Sequence, residues 1–436
     1  MDIWLITILL FGLLLLCLAL GLPLAFAFGG IAVLFSMILW GPQTLVLLPL
    51  GAFEDSTNFI LIAVPLFVFM ANILENSGVA EDLYEMMYRW MGSLSGGLSM
   101  GTVVICAIFA AMAGLSGVGT ITMGLIALPS MLKRGYDKRM AVGCVSAGGT
   151  LGILIPPSVI MILYAYLCEE SVGRLFIAGI IPGIILSLIF ILYIGIRCWV
   201  NPHMGPPIEE TVSMIEKLRS LKAMILPVLL IIVVLGVIYA GICTPTEAAA
   251  VGAGGSIICA VINGRFSMRV LGSALRRTMS ITSFVIWILI GAGAFTKVYT
   301  ALGAPDLLNE IIAGLHVSRG IMIIFMMFIF FILGMFMDPA GIIMICTPIF
   351  IPIVRSLGFD TIWFGILFVI NMEMGYITPP FGFNLFYMKA IVPPEISMMD
   401  IYRSIVPFVV LEIMGLLIIV FFPALATWLP SMMMGY

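Results

Sequence analysis

Long apolar runs separated by short polar breaks make up this 436-residue chain, without the sustained polar faces of a soluble fold. About 20 apolar residues cross a bilayer core of roughly 30 Å. On that ruler, full crossings are predicted near 3–20, 22–40, 58–75, 140–166 and 174–198, and again near 222–241, 245–263, 281–300, 362–388 and 404–428. Two further apolar stretches, 97–132 and 320–355, are interrupted midway by Gly114-Leu115-Ser116-Gly117-Val118-Gly119 and by Asp338-Pro339-Ala340-Gly341. The arms of the first are roughly 14–16 residues, or about 21–24 Å at 1.5 Å per residue, which falls short of the core. Both stretches are therefore predicted as re-entrant helical hairpins.

Composition agrees. The chain is 63% hydrophobic and 9% charged, whereas a soluble protein carries roughly 25% charged residues. Its start, Met1-Asp2-Ile3-Trp4, lacks the basic region of a cleavable signal, so the first apolar run is predicted to remain as a span. The eight cysteines are scattered through apolar runs without a C-x-x-C pair and read as buried small hydrophobes. Of the 19 Lys and Arg residues, four (Arg174, Lys297, Arg319 and Arg355) fall on one side of the predicted map and the other fifteen on the opposite side. This is a strong positive-inside asymmetry. It places both termini in the periplasm, with the first hairpin entering from the cytoplasm and the second from the periplasm.

The two halves are related. At an offset of 223 residues, 129–164 aligns with 352–387 without a gap: Pro129 meets Pro352, Gly135 meets Gly358, Asp137 meets Asp360, Gly152 meets Gly375, and Pro156-Pro157 meets Pro379-Pro380. At nearly the same offset Pro23 matches Pro245 and Gly78 matches Gly303. The predicted fold is thus an all-α polytopic membrane protein of two repeats, 1–200 and 222–436, joined by a cytoplasmic linker at 201–221. Each repeat has about five crossings, one hairpin (97–132 or 320–355) and one Pro-Pro-broken helix (140–166 or 362–388). An odd number of crossings inverts the second copy, as the charge map also requires.

Inverted repeats with broken helices are a transporter pattern. Pro-Pro opens a helix and frees carbonyls, and such groups are tolerated at membrane depth only inside protein or along a cavity. Freed carbonyls and hydroxyls suit a hard cation such as Na⁺. The first candidate cation site comprises Ser116, Gly119, Gly149, Gly152, Ile155 and Pro156, and the second Gly334, Phe336, Glu373, Tyr376 and Thr378. A carboxylate within a span is costly and is a functional hypothesis by default. Glu373 either ligates or neutralises a cation, or is protonated and hydrogen-bonded as a structural group; its repeat counterpart is Thr150. Asp338 is either a site residue or the N-cap of the hairpin's second arm. Glu412 reads as a packing or subunit contact. With His203 and His316 unpaired and no Cys nearby, no Zn or redox metal is expected.

At three segments the sequence resembles the large membrane subunit of the tripartite ATP-independent periplasmic (TRAP) transporters. They are Gly114-Leu115-Ser116-Gly117-Val118-Gly119-Thr120, Gly149-Thr150-Leu151-Gly152-Ile153-Leu154-Ile155-Pro156-Pro157-Ser158, and Ile377-Thr378-Pro379-Pro380-Phe381-Gly382-Phe383-Asn384-Leu385. The resemblance covers essentially the whole chain. It implies an elevator-type, Na⁺-coupled symporter of a bacterial inner membrane, with the hairpins and broken helices moving against a scaffold of the remaining helices. It further implies two partners: a small four-helix membrane subunit (Q), and a periplasmic substrate-binding protein (P) that delivers a small organic acid. The carboxylate or sulfonate would meet Ser116, Thr120, Ser158 and Asn384 between the hairpin tips. Amphipathic Val79–Trp90 resembles the family's interfacial helices.

No nucleophile–base pair, H-E-x-x-H motif or paired acidic motif marks the chain as an enzyme, and no repeated carbonyl filter marks it as a channel. No organic cofactor or nucleic-acid partner is expected; the surroundings are membrane lipids. The alternatives are an elevator-type organic anion symporter of another family working without a binding protein, and proton coupling through Glu373.

Overall fold

The computed structural model describes residues 3–208, 212–304, 307 and 318–433; Glu209 and His316 lie outside the described residues. All regular secondary structure among them is helical. The first half begins with α1 (Ile3–Ala19), α2 (Leu24–Trp40), α3 (Leu47–Ser56), α4 (Ala63–Glu75) and α5 (Val79–Met91). The hairpin α6 (Gly97–Ala113) and α7 (Ser116–Lys133), the broken helix α8 (Lys138–Thr150) and α9 (Val159–Cys168), and α10 (Val172–Val200) follow. The second half contains α11 (Met214–Ser220), α12 (Lys222–Tyr239), α13 (Pro245–Ile262) and α14 (Met268–Ala301). Its hairpin is α15 (Arg319–Gly334) and α16 (Pro339–Ser356), its broken helix α17 (Thr361–Ile377) and α18 (Phe383–Ile391), and its end α19 (Met398–Phe421) and α20 (Ala424–Ser431).

Six continuous helical segments among the described residues are long and apolar enough to cross a membrane, from Val172–Val200 to Met398–Phe421. Their outer faces carry exposed Leu188, Leu192, Leu229 and Phe284, the surface that lipid solvates. The predicted span at 58–75 is the second limb of a pair, Pro42–Ser56 and Phe59–Glu75, bent by 54°.

Both hairpins are present, with tighter turns than expected. Gly114 closes α6 at φ 64°, Leu115 is extended, and Ser116–Gly119 already belong to α7. In the second hairpin the break is Met335–Asp338, because Asp338 caps α16 and Pro339 opens it, where a missing N–H costs nothing. The arms of the first hairpin have 17 and 18 residues, about 26 Å at the helical rise and longer than the sequence suggested.

Residues matched across the halves do the same work in both. Asp137 accepts from the backbone N–H of Arg139 and Met140 to start α8, and Asp360 accepts from Ile362 and Trp363 to start α17. Gly135 and Gly358 take left-handed φ of 77° and 74° just before them. Pro129 and Pro352 both lie inside the second hairpin arm.

Packing joins the halves crosswise. The short half-helix α18 lies on α7 of the first hairpin, and α9 lies on α16 of the second. The long helices α10 and α19 also pack on the broken helices, α19 through a 2.9 Å bond from Trp363 Nε1 to the Ile419 carbonyl, and on each other through Phe190–Phe408 at 5.5 Å. By packing they group with the hairpins and broken helices. The second group is α2, α3, α4, α13 and α14.

The linker is likewise more ordered than a polar spacer. It contains α11, started by a Ser213–Glu216 capping box, and is strapped to the first half by Gly96 N–H to the Gly205 carbonyl at 2.8 Å and Trp90 Nε1 to the Lys217 carbonyl at 2.9 Å.

The second hairpin meets its break at Gly334 and Gly375, where a Cβ on Gly375 would lie 2.6 Å from Gly334 Cα. Gly375→Ala is expected to destabilise the fold by about 1–3 kcal/mol, read as a lower melting temperature in fluorescence-detected size-exclusion chromatography. Gly272→Ala, with nothing within 4 Å of the new methyl, is expected to leave that temperature unchanged or slightly raised.

Candidate functional site

Both helix breaks are built by residues that stop one helix and start another. In the first, α8 ends at Thr150, Leu151–Ile153 forms a 3-10 turn, and the cis Pro156–Pro157 pair leads to Ser158. Ser158 Oγ accepts from Met161 N–H at the start of α9 and donates to the Ile153 carbonyl at 2.6 Å. In the second, α17 ends at Ile377, Thr378 Oγ1 donates to the Met374 carbonyl at 2.6 Å, and Gly382 at φ 53° opens α18 after cis Pro379–Pro380.

Each hairpin tip is pressed against its break, and glycines make that approach possible. At the first junction Val159 N–H donates to the Gly114 carbonyl, a Cβ on Gly152 would lie 2.9 Å from the Leu115 carbonyl oxygen, and one on Gly149 would overlap Thr120 Oγ1. Gly119 faces Gly149 across the same contact. Thr120 Oγ1 is fully buried there and has no hydrogen-bond partner. A buried, unpartnered oxygen between two glycine backbones is the atom a cation at this junction would use. Ile155 turns its side chain to Gly183 of α10, so only its backbone carbonyl could serve the expected group. Pro156 lies beside it in the cis pair.

The second junction differs. Gly334 and Gly375 are in backbone contact, and Asn371 on the same face of α17 donates to the Met327 carbonyl at 2.8 Å. Asp338 Oδ1 accepts from Ala340 N–H at 2.9 Å, which is the N-cap role, and its carboxylate also accepts from Tyr376. Phe336 is half exposed and stacks near Phe381, 6.0 Å between centroids. The structure does not bring Glu373 to this group. Two residues from Gly375 is about 200° of helical rotation, so Glu373 lies on the opposite face of α17, toward α19 and within electrostatic reach of Glu412.

Of the four candidate substrate residues, the structure joins two. Ser116 Oγ donates to Asn384 Oδ1 at 2.9 Å, and Asn384 Nδ2 donates to the Ser146 carbonyl at 3.3 Å, linking the first hairpin to the broken helix of the other half. Ser158 is occupied in capping, and Thr120 points into the first junction. All four are at most 3% exposed.

Two groups of residues escaped sequence reasoning. Glu412 is a fully buried member of a polar contact with Thr150, not a packing residue. A cavity of about 600 Å³ also opens between α3, α9 and α14, lined by Glu54, Asp55, Tyr166, Glu169, Glu170 and Lys297. There Asp55 Oδ1 accepts from Tyr166 Oη at 3.0 Å and lies 3.4 Å from Lys297 Nζ. The available signal was the Glu54-Asp55 pair between apolar runs, on the side where Lys297 is one of four basic residues.

Comparison with known proteins finds relatives along the whole chain. The chain is 36% identical over 404 residues to the C4-dicarboxylate TRAP transporter large permease protein DctM of Pseudomonas aeruginosa, covering 92% of this chain and 93% of that one. It is 32% identical to the protein of the same description from Vibrio cholerae, with 95% of each covered. The isethionate TRAP transporter permease protein DctMQ of Oleidesulfovibrio alaskensis matches at 30% identity over 95% of this chain and 65% of that longer one. In fold the chain resembles the YdaH transporter of Alcanivorax borkumensis, whose topology is described as unusual, with a TM-score of 0.63 at 14% identity over 94% of this chain and 97% of that one. Residues 11–425 match the family described as tripartite ATP-independent periplasmic transporter, DctM component, and the chain belongs to that family of multi-pass membrane permeases, which are not enzymes.

Proposed function

We propose that this permease carries a small organic acid into the cytoplasm together with Na⁺, taking the substrate from a periplasmic binding protein and working beside a small membrane subunit. The observation that carries the reading is the first junction, where a hairpin and a broken helix meet through Gly119 and Gly149 around the unpartnered Thr120 oxygen. Hydroxyl and backbone oxygens without sulfur or imidazole suit a hard monovalent cation. The residues proposed to hold Na⁺ are Ser116, Gly119, Thr120, Gly149 and Gly152 at the first junction, and Gly334, Tyr376 and Thr378 at the second. The bound ion would supply positive charge near the carboxylate, since no Lys or Arg lies among these residues.

Substrate class follows from relatives. Permeases named for C4-dicarboxylates, isethionate and ectoine all align with most of this chain. A fused DctMQ relative supports a small-subunit partner. Ser116 and Asn384, joined across the two halves, are the proposed contacts to the acid. Elevator movement would carry α6–α10 and α15–α20 past α2–α4, α13 and α14. The Tyr166–Asp55 bond is a contact between these groups that such movement must break. The charge asymmetry supports termini on the periplasmic side.

Two outcomes are expected. Thr120→Val removes only the orphan oxygen, so the Na⁺ concentration for half-saturation, measured as radioactive sodium binding to the purified chain, should rise at least about tenfold, the loss of roughly 1.4 kcal/mol. Unchanged Na⁺ binding would remove the first junction as an ion site. In proteoliposomes holding the permease and its small membrane subunit, an inward Na⁺ gradient should drive uptake of labelled succinate only when the binding protein is present. Ser116→Ala combined with Asn384→Ala should reduce that uptake about tenfold or more. Uptake without the binding protein would instead indicate an autonomous symporter.

A further inference from the structure

Three helices bring polar side chains to one point inside the packed core of the hairpin and broken-helix group. Glu373 on α17, Glu412 on α19 and Thr150 at the end of α8 are each 0% exposed. Thr150 and Glu373 are repeat counterparts, so equivalent positions of the two broken helices converge on the single carboxyl of Glu412. Neither oxygen of Glu373 has a partner, and neither does Oε2 of Glu412.

The hydrogen count at Thr150 is informative. Its Oγ1 lies 2.7 Å from the Ala147 carbonyl and 3.2 Å from Glu412 Oε1. A hydroxyl has one hydrogen and two acceptor sites, and a carbonyl only accepts. The shorter contact therefore takes the Thr150 hydrogen. The longer contact is then at best a weak, shared donation from Thr150, and it becomes a full hydrogen bond when the carboxyl of Glu412 supplies a hydrogen of its own, donating to Thr150.

Electrostatics points the same way. Each buried carboxylate is costly to desolvate, and Glu412 adds like-charge repulsion to Glu373. Neither glutamate is in an ion pair among the described residues, and no group of three His, Cys, Asp or Glu there could hold a metal ion. Among the described residues, Glu412 is the titratable group acting on Glu373 from the helices packed on α17. Of the other titratable groups there, Cys144 is engaged with the Ala141 carbonyl, Tyr164 with the Thr361 carbonyl, Arg355 with the Cys168 carbonyl, Tyr376 with Asp338, and Lys138 with Asp400.

We propose that Glu373 and Glu412 form a proton-binding site in which Glu412, as a carboxylic acid, donates to Thr150 and fixes the last turn of α8. Without that proton the Glu412 carboxylate would compete with the Ala147 carbonyl for the Thr150 hydrogen. Thr150 follows directly on Gly149, so the competition would disturb the glycine contact that forms the first junction. The proton is assigned from the contacts of the three side chains alone, whichever ion or substrate is carried. Its effect on Na⁺ affinity rests on the function proposed above.

The test uses the full-length chain in lipid vesicles. In infrared difference spectra recorded near neutral pH, the wild type should show a carboxylic-acid carbonyl band that Glu412→Gln reduces by one group and the Glu373→Gln/Glu412→Gln pair by two. Thr150→Val should keep the intensity and shift the band, because the acid loses its acceptor. Gln retains a donor to Thr150, so Glu412→Gln should fold, with a melting temperature near that of the wild type. Spectra of Glu412→Gln that superimpose on the wild type would overturn the proposal, as would a carboxylic-acid band that keeps its full intensity in the Glu373→Gln/Glu412→Gln pair. Loss of Na⁺ binding in Thr120→Val has no bearing on these bands, so the two readings fail separately.

Discussion

The structure depends on one constraint: backbone groups exposed where a helix is broken inside a membrane must be buried against other backbone. Lipid offers them nothing. Here the burial is done by the hairpin tips, and it requires glycine at the breaks. Gly149 and Gly152 receive Thr120 and Leu115 in the first half, and Gly334 meets Gly375 in the second. A side chain at these four positions would hold hairpin and break apart by the thickness of a methyl group. Everything nearby follows from that closeness, including the trapped Thr120 oxygen and the short reach from the first hairpin to Asn384.

The two junctions share their backbone design and differ in chemistry. Asp137 and Asp360 begin α8 and α17 in the same way, yet Leu115 has Asp338 as its counterpart, and Thr150 has Glu373. Asp338 proves to be a helix cap held also by Tyr376, the milder of its two readings. Glu373 serves neither hairpin. It faces the interior between the broken helices, where Glu412 completes a group of three polar residues. Duplication supplied a symmetric frame, and a few substitutions on faces away from the glycine contacts made the halves unequal.

The crosswise packing gives this inequality consequences at a distance. Because α18 lies on the first hairpin and α9 on the second, neither half can move alone. Ser116 and Asn384 come from different repeats, so the proposed substrate contact exists only when both are in place. The same interlocking draws α10 and α19 into the group, which places Glu412 beside the broken helices.

Much of this was legible in the chain itself. Apolar run length determined where helices cross, Lys and Arg placement determined a strong asymmetry, and Gly, Pro and Asp at a fixed offset marked the repeat, because these residues set backbone geometry locally. The turns were less legible: Ser116–Gly119 read as a loop and form the first turn of α7, since a single left-handed residue, Gly114, suffices to end α6. What only the tertiary structure decided is which faces meet. Glu373 is one residue in a uniformly apolar helix that is buried on every side, so hydrophobic periodicity carries no information about its direction. Glu412 gains a role from Thr150, 262 positions away. The sequence alone determined the breaks and the residues that permit them; three-dimensional packing decided that one carboxylate leaves the expected ion site and joins another.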